Sequence, residues 1–137
     1  MNFKKGLVIG ACAVFLSGCQ AITTKPVQPV KLAGDDVRLL FENQTVESFN
    51  LITGTTSFSF YRPDGTVLQE RYWEMRHGTW QVTQEGQICM AMEGKAERCR
   101  SVFMEQGKYY KYRDDEQGGL EKIIRYRQFI DGNKLDR

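Results

Sequence analysis

Phe58-Ser59-Phe60-Tyr61-Arg62-Pro63-Asp64-Gly65-Thr66-Val67-Leu68-Gln69 is the stretch that decides the fold. Apolar and polar residues alternate up to Pro63-Asp64-Gly65 and resume after it. Pro sets φ for a turn and Gly supplies a positive φ, so the stretch reads as two strands joined by a tight turn. Outward from this hairpin the pattern repeats. Turn signals at His77-Gly78, Glu85-Gly86, Glu93-Gly94-Lys95, Gln106-Gly107 and 114–119 divide the chain into eight strands: 44–51, 55–62, 66–75, 79–83, 87–92, 97–104, 108–113 and 120–130. A short helix is expected ahead of them, where Gly34 can cap, Asp35 and Asp36 suit the positive end of the dipole, Val37, Leu40 and Phe41 share a face, and Asn43 stops it. The chain is therefore read as mainly β, a short N-terminal helix followed by an antiparallel eight-strand meander. Consecutive antiparallel strands lose their exposed edges by closing, so a small up-and-down barrel is expected, with a bent sheet or a two-sheet sandwich as alternatives.

Alternation also proposes a core. Phe58 and Phe60 share one face, Trp80 and Val82 another, and Leu120, Ile124, Tyr126 and Ile130 a third, opposite Arg125 and Arg127. In strand 87–92 either Ile88-Met90-Met92 or Cys89-Ala91 can face inward, and alternation leaves both open.

The N-terminus reads as an address. Lys4 and Lys5 precede an apolar run of eleven residues, Gly6 to Leu16, too short to span a bilayer permanently. Leu16-Ser17-Gly18-Cys19 resembles the lipobox of bacterial lipoproteins. The resemblance implies cleavage before Cys19, acylation of that residue and attachment to the membrane through it; several acyl chains on one residue anchor durably where one would not. With Gln20 and not Asp after the cysteine, the resemblance also implies an outer-membrane location facing the periplasm. Residues 1–18 are read as the signal peptide, 19–33 as acylated Cys19 and a tether, and 34–137 as one β domain; the tether segment holds two of the three prolines and shows no period. An alternative is that part of the tether adds a strand to the domain. Without residues 1–18 the chain has 17 bases against 17 acids, so no electrostatic case exists for nucleic acid as a partner.

In an oxidising compartment the remaining thiols, Cys89 and Cys99, should pair. They lie symmetrically about Gly94, so a hairpin turning at Glu93-Gly94-Lys95 sets them opposite one another. Leu39-Leu40-Phe41, Asn43, Thr45-Val46, the run Phe60 to Thr66, Gly78-Thr79-Trp80, Ile88-Cys89 and Cys99-Arg100-Ser101-Val102-Phe103 together resemble a family of small exported bacterial proteins without an established function. The resemblance covers roughly residues 35–112 and implies a short helix, an Asp-Gly hairpin, a Gly-x-Trp step and a cysteine pair in that order. It implies no catalytic residue.

Chemistry is sparse. The one histidine, His77, sits in an expected turn, and with no second His, no free thiol in the domain and no Gly-x-Ser-x-Gly elbow, no nucleophilic triad can be assembled. Two Cys and one His are too few for a typical zinc site, so no metal and no cofactor are expected. Asp64, Glu70, Glu74 and Glu97 are numerous enough for a carboxylate pair, which keeps an envelope hydrolase as a minor alternative. Bases interleave with aromatics in Lys108-Tyr109-Tyr110-Lys111-Tyr112-Arg113, a pattern that can stack on sugars. Tyr72 and Trp73 are neighbours on an expected strand, so one ring faces outward. Tyr72, Trp73, Tyr110 and Tyr112 are accordingly the contact candidates. The expected function is a non-catalytic envelope module that binds a protein or glycan; a lipocalin-like carrier of a small apolar ligand is the alternative, since eight strands just suffice to hold one. Oligomeric state is not legible.

Overall fold

The structure, a computed structural model, describes residues 18, 19 and 25–135. The apolar run, Leu16-Ser17 and the segment 20–24 lie outside the described residues. Strand β1 (Val30–Lys31) precedes helix α1 (Gly34–Phe41), and eight strands follow: β2 (Gln44–Asn50), β3 (Thr56–Tyr61), β4 (Thr66–Arg71), β5 (Glu74–Val82), β6 (Gln87–Met92), β7 (Arg98–Glu105), β8 (Lys108–Asp114) and β9 (Leu120–Asp131). Each of β2 to β9 pairs antiparallel with its successor, and β9 pairs back onto β2 from Gln44↔Asp131 to Asn50↔Ile124. The meander is a closed eight-stranded barrel, which leaves no edge among these strands open to another chain. β1 is the extra strand. It lies beside β7 through Val30↔Met104 and Lys31↔Phe103, past the end of β6, so part of the expected tether adds a strand to the domain.

The turns 51–55, Tyr72-Trp73, 93–97 and 115–119 gather at one end of the barrel. The turns 62–65, 83–86 and 106–107 gather at the other, where α1 lies. Ala33, not Gly34, occupies the helix N-cap. Gly34 is needed for a different reason: a Cβ there would stand 2.7 Å from the Thr83 carbonyl oxygen. Gly86 has φ +86°, and a Cβ on it would meet the Leu32 carbonyl at 2.2 Å, so the β5–β6 turn must be bare for the chain to cross from β1 to α1.

Val37 and Phe41 plug this end and are buried together with Val46, Tyr61, Val67, Trp80, Ile88, Val102 and Tyr126. The Phe41 ring meets Tyr61, Tyr126 and Phe129 edge-on, at 5.1, 4.9 and 5.5 Å between centroids, contacts worth about 0.5–1.5 kcal/mol each beyond burial. Trp80 also donates from Nε1 to the Arg62 carbonyl at 2.8 Å, which satisfies the one polar atom on that ring.

Several sequence expectations need correction. Phe58 and Phe60 do share a face, but it is the outer one, where Phe60 and Leu68 pack under Leu135. The C-terminal segment is held there because Thr45 Oγ1 donates to the Gly132 carbonyl at 2.6 Å and accepts from the Lys134 N–H at 3.0 Å. In β6 both Ile88 and Cys89 are buried, with Ile88, Met90 and Met92 packed on the main core. Leu120 and Ile130 are exposed, because register shifts at Glu47/Ser48 and Lys111/Tyr112 break the alternation along β9. The largest correction concerns 66–83. The chain does not run straight through Tyr72 and Trp73; it reverses there, and His77 and Gly78 lie inside β5. Gly78 serves sheet packing and not a turn, since a Cβ on it would stand 2.5 Å from the Ala91 carbonyl of β6.

Candidate functional site

Arg71↔Glu74 is the last pair of the β4–β5 ladder, which leaves Tyr72 and Trp73 as a two-residue turn. Both carry positive φ, 52° and 67°. That is the signature of a type I′ turn, a geometry ordinarily given to Asn-Gly or Asp-Gly. For residues with a Cβ the left-handed region costs roughly 1–2 kcal/mol each. The two rings recover little of this by burial, for Trp73 is 96% exposed and Tyr72 67%. Tyr72 is steadied on the neighbouring hairpin by a 2.8 Å bond between its hydroxyl and Thr55 Oγ1, and the Arg71 guanidinium stands 5.7 Å over its ring. Between the two hairpin tips runs a groove of about 520 Å³ lined by Thr53, Gly54, Thr55, Phe58, Arg71 and Trp73 among others. Leu51, Ile52 and Met75 are also exposed at this end. Two tips of adjacent hairpins thus offer aromatic and aliphatic surface at one pole of the barrel.

Tyr110 and Tyr112 lie on β8, four strands from β4 in either direction around the barrel, so they do not converge with Tyr72 and Trp73. They serve as packing. Tyr112 is buried against Phe103 at 4.5 Å, and Lys122 Nζ stands 4.1 Å over the Tyr110 ring while bonding Glu105 at 2.6 Å. The hydrogen bond from Lys122 holds the Glu105 carboxyl below its ordinary pKa and holds Lys122 above its own.

A second cluster, absent from the sequence reading, lies inside the barrel next to the aromatic core. Val102↔Lys111 and Lys111↔Ile124 place Lys111 on the inward face of β8, and Ile88↔Arg100 does the same for Arg100 on β7. The Tyr61 hydroxyl donates to Met90 Sδ at 3.5 Å, and Lys111 Nζ approaches the same sulfur at 4.0 Å. Lys111 also stands 5.9 Å from the Tyr126 ring, whose buried hydroxyl has no hydrogen-bond partner. On the other wall Arg76 donates to Gln69 at 3.4 Å and Gln69 to Ser59 at 3.2 Å. Burial, with Arg100 nearby, lowers the Lys111 pKa to about 8, and burial raises both phenols. The signal for this cluster was present in Lys108-Tyr109-Tyr110-Lys111: at period two, Lys111 shares a face with Tyr109, and both turn inward.

The residues considered for catalysis stay apart. Asp64 accepts from Thr66 N–H at 2.8 Å and Thr66 Oγ1 at 2.7 Å, bonds that lower its pKa and tie it to the β3–β4 turn. Glu70 pairs in register with Met75 and Glu74 with Arg71, so the two carboxylates lie on opposite faces of the sheet. Glu97 accepts from Gln81 at 3.0 Å beside the cysteine pair. His77 is exposed on β5 opposite Leu68. Cys89 and Cys99 are directly opposed and form a disulfide, so the cluster they make with Glu97 offers no thiolate to a metal. Cys19 is exposed and unpaired with another cysteine.

The class these features define is a closed antiparallel barrel with a helical plug, an aromatic tip at the opposite pole and a basic, phenol-lined patch within. Comparison with protein-family models, with curated proteins and with solved structures finds no match.

Proposed function

We propose that the protein is a lipid-anchored module of the bacterial cell envelope that binds an envelope protein or glycan through the Tyr72-Trp73 tip and performs no catalysis of its own. One observation carries this reading: two large aromatic residues hold a strained left-handed turn that Asn-Gly would hold without strain, and they expose their rings to solvent. Stability alone would select against that choice, so contact with a partner is its best rationale. The placement of the anchor agrees. Val30 lies beside Met104, near the β7–β8 turn, so the segment from Cys19 reaches the domain at the pole away from the tip. Acylation of Cys19 would set that pole toward the membrane and aim the aromatic tip outward, on the order of 20 Å further from the lipid surface. The apolar-carrier reading has less support, because Phe41, Tyr61, Trp80 and Tyr126 fill the interior next to α1.

The test is the double variant Tyr72→Asn/Trp73→Gly in the acylated protein, read in two ways. Its domain should melt higher, by roughly 1–2 kcal/mol of added stability, as the strain is relieved. A photo-crosslinker at position 73 in intact cells should capture a discrete envelope component, and the double variant should lose that component in co-purification. Higher stability with unchanged co-purification would refute the assignment of the tip, and a mass for Cys19 without acyl groups would refute the anchor.

A further inference from the structure

We propose that the groove between the β2–β3 and β4–β5 tips binds a neutral glycan, with one pyranose ring stacked on Trp73 and its hydroxyl groups bonded by Thr53, Thr55, Tyr72 and Arg71; this rests on the tip being the contact surface and names the chemistry of its ligand. The walls of the groove are suited to hydroxyl groups. Thr53 Oγ1 donates to Thr55 Oγ1 at 3.0 Å, and Thr55 Oγ1 shares a 2.8 Å bond with the Tyr72 hydroxyl, so three hydroxyls from two hairpins form one row along the groove. A hydroxyl has one O–H and two lone pairs. Whichever way the Thr55–Tyr72 bond runs, one O–H of the row is not used within it, and lone pairs remain on more than one of its oxygens. Such a row donates and accepts at once, which is what a sugar hydroxyl needs from its partner and what an all-donor or all-acceptor site lacks. Arg71, whose guanidinium stands 5.7 Å over the Tyr72 ring, lines the same groove and adds N–H donors.

Charge and shape narrow the class. Among the described residues that line the groove, Glu70 and Arg71 are the charged ones, so the lining is balanced and favours neither sign of ligand. Trp73, 96% exposed, offers the negative face of its ring to the C–H groups on the apolar face of a pyranose. Both aromatic residues sit in a two-residue turn between paired strands, so little freedom is lost when a ligand settles there. The volume, about 520 Å³, lies in the range of sites for ligands the size of a short oligosaccharide. A lipid surface fits less well. Glu74 follows Trp73 directly and Glu70 lines the groove, so insertion of the tip would carry carboxylates into the interface beside anionic headgroups. A protein partner would gain an aromatic anchor but would have to pair the hydroxyl row group by group as it dried the groove.

The experiment uses the acylated protein in a detergent without sugar head groups, with chitotetraose, cellotetraose and mannotetraose as probes. The chain has two tryptophans and Trp80 is 5% exposed, so quenching of fluorescence by acrylamide reports on Trp73. At least one tetrasaccharide should lower the quenching saturably, by about half where one face of the ring is covered. Thr55→Val keeps the β-branched shape and removes the hydroxyl at the centre of the row; it should melt like the parent and bind that sugar about fivefold more weakly. Vesicles of phosphatidylethanolamine and phosphatidylglycerol should leave the quenching unchanged. Three results would overturn the proposal: no saturable protection by any tetrasaccharide, equal affinity in Thr55→Val, or protection by the vesicles and not by the sugars. If position 73 crosslinks to an envelope polypeptide while no sugar binds, the tip stands as a contact surface and the glycan falls; if neither occurs, both fall.

Discussion

Lys111 shows how a single residue can set a pH dependence for the whole domain. Its ammonium faces Arg100 from β7 and Tyr126 from β9 and shares the Met90 sulfur of β6 with the Tyr61 hydroxyl of β3, and none of these is an acid. Its pKa falls to about 8 on folding, from an ordinary value of 10.5. Between those values the unfolded chain binds more protons than the folded one, so stability rises with pH. Below pH 8 both states are protonated and the full penalty of burying the charge is present. Denaturant melts from pH 7 to 9.5 should therefore show a gain on the order of 1 kcal/mol, and Lys111→Met should flatten it. The buried phenols act in the opposite sense and later: their raised pKa values mean that stability is lost as pH climbs past 10, where unfolded tyrosine ionises. A wild-type curve that falls between pH 7 and 9.5 would show that Lys111 is not desolvated.

At the level of elements, the β6–β7 hairpin was legible from sequence because its two cysteines flank Gly94 symmetrically, and the register Cys89↔Cys99 follows from that symmetry. Closing a loop of about eleven residues stabilises the domain by roughly 2–4 kcal/mol. Cys99→Ser should accordingly lower the melting temperature under oxidising conditions and bring it to that of the reduced parent; coincident melting of parent and variant without reductant would show that the bridge contributes nothing. The turns with a chemical signature, Asp64-Gly65, Glu85-Gly86, Gly94 and Gln106-Gly107, were legible for the same kind of reason, since Gly at positive φ is what each one needs. The β4–β5 turn was not. A Tyr-Trp dipeptide carries every preference of a strand and none of a left-handed turn, so local chemistry pointed away from what the ladder imposes. His77-Gly78 misled in the reverse direction, as its glycine is there to let β6 approach. Of the four aromatic contact candidates, Tyr72 and Trp73 stand exposed while Tyr112 is buried, because alternation cannot see which outer faces are covered by their own neighbours, here Phe103 and Lys122.

For the molecule as a whole, closure through β9 and β2 makes stability a shared property, since no strand of the barrel can leave without opening two ladders. The two poles divide the labour. Beside α1 the interior is a packed aromatic and aliphatic core; toward the other pole it turns polar, and the exposed, left-handed Tyr72-Trp73 tip lies there. Binding functions are drawn to the pole that the fold does not need for its core, and rigidity is supplied from the other. Phe41 tests this division directly. It is fully buried, and it touches Tyr61 of β3 and both Tyr126 and Phe129 of β9, so it couples the plug to two strands of the barrel. Phe41→Ala should cost about 3–5 kcal/mol, with hydrogen exchange accelerating across β3 and β9 as well as in the helix. Leu39→Ala, at an exposed position of the same helix, should change stability by no more than about 0.5 kcal/mol. Were the Phe41 variant to exchange faster only over 34–41, with strand protection intact, α1 would be a detachable lid and the barrel a self-sufficient unit.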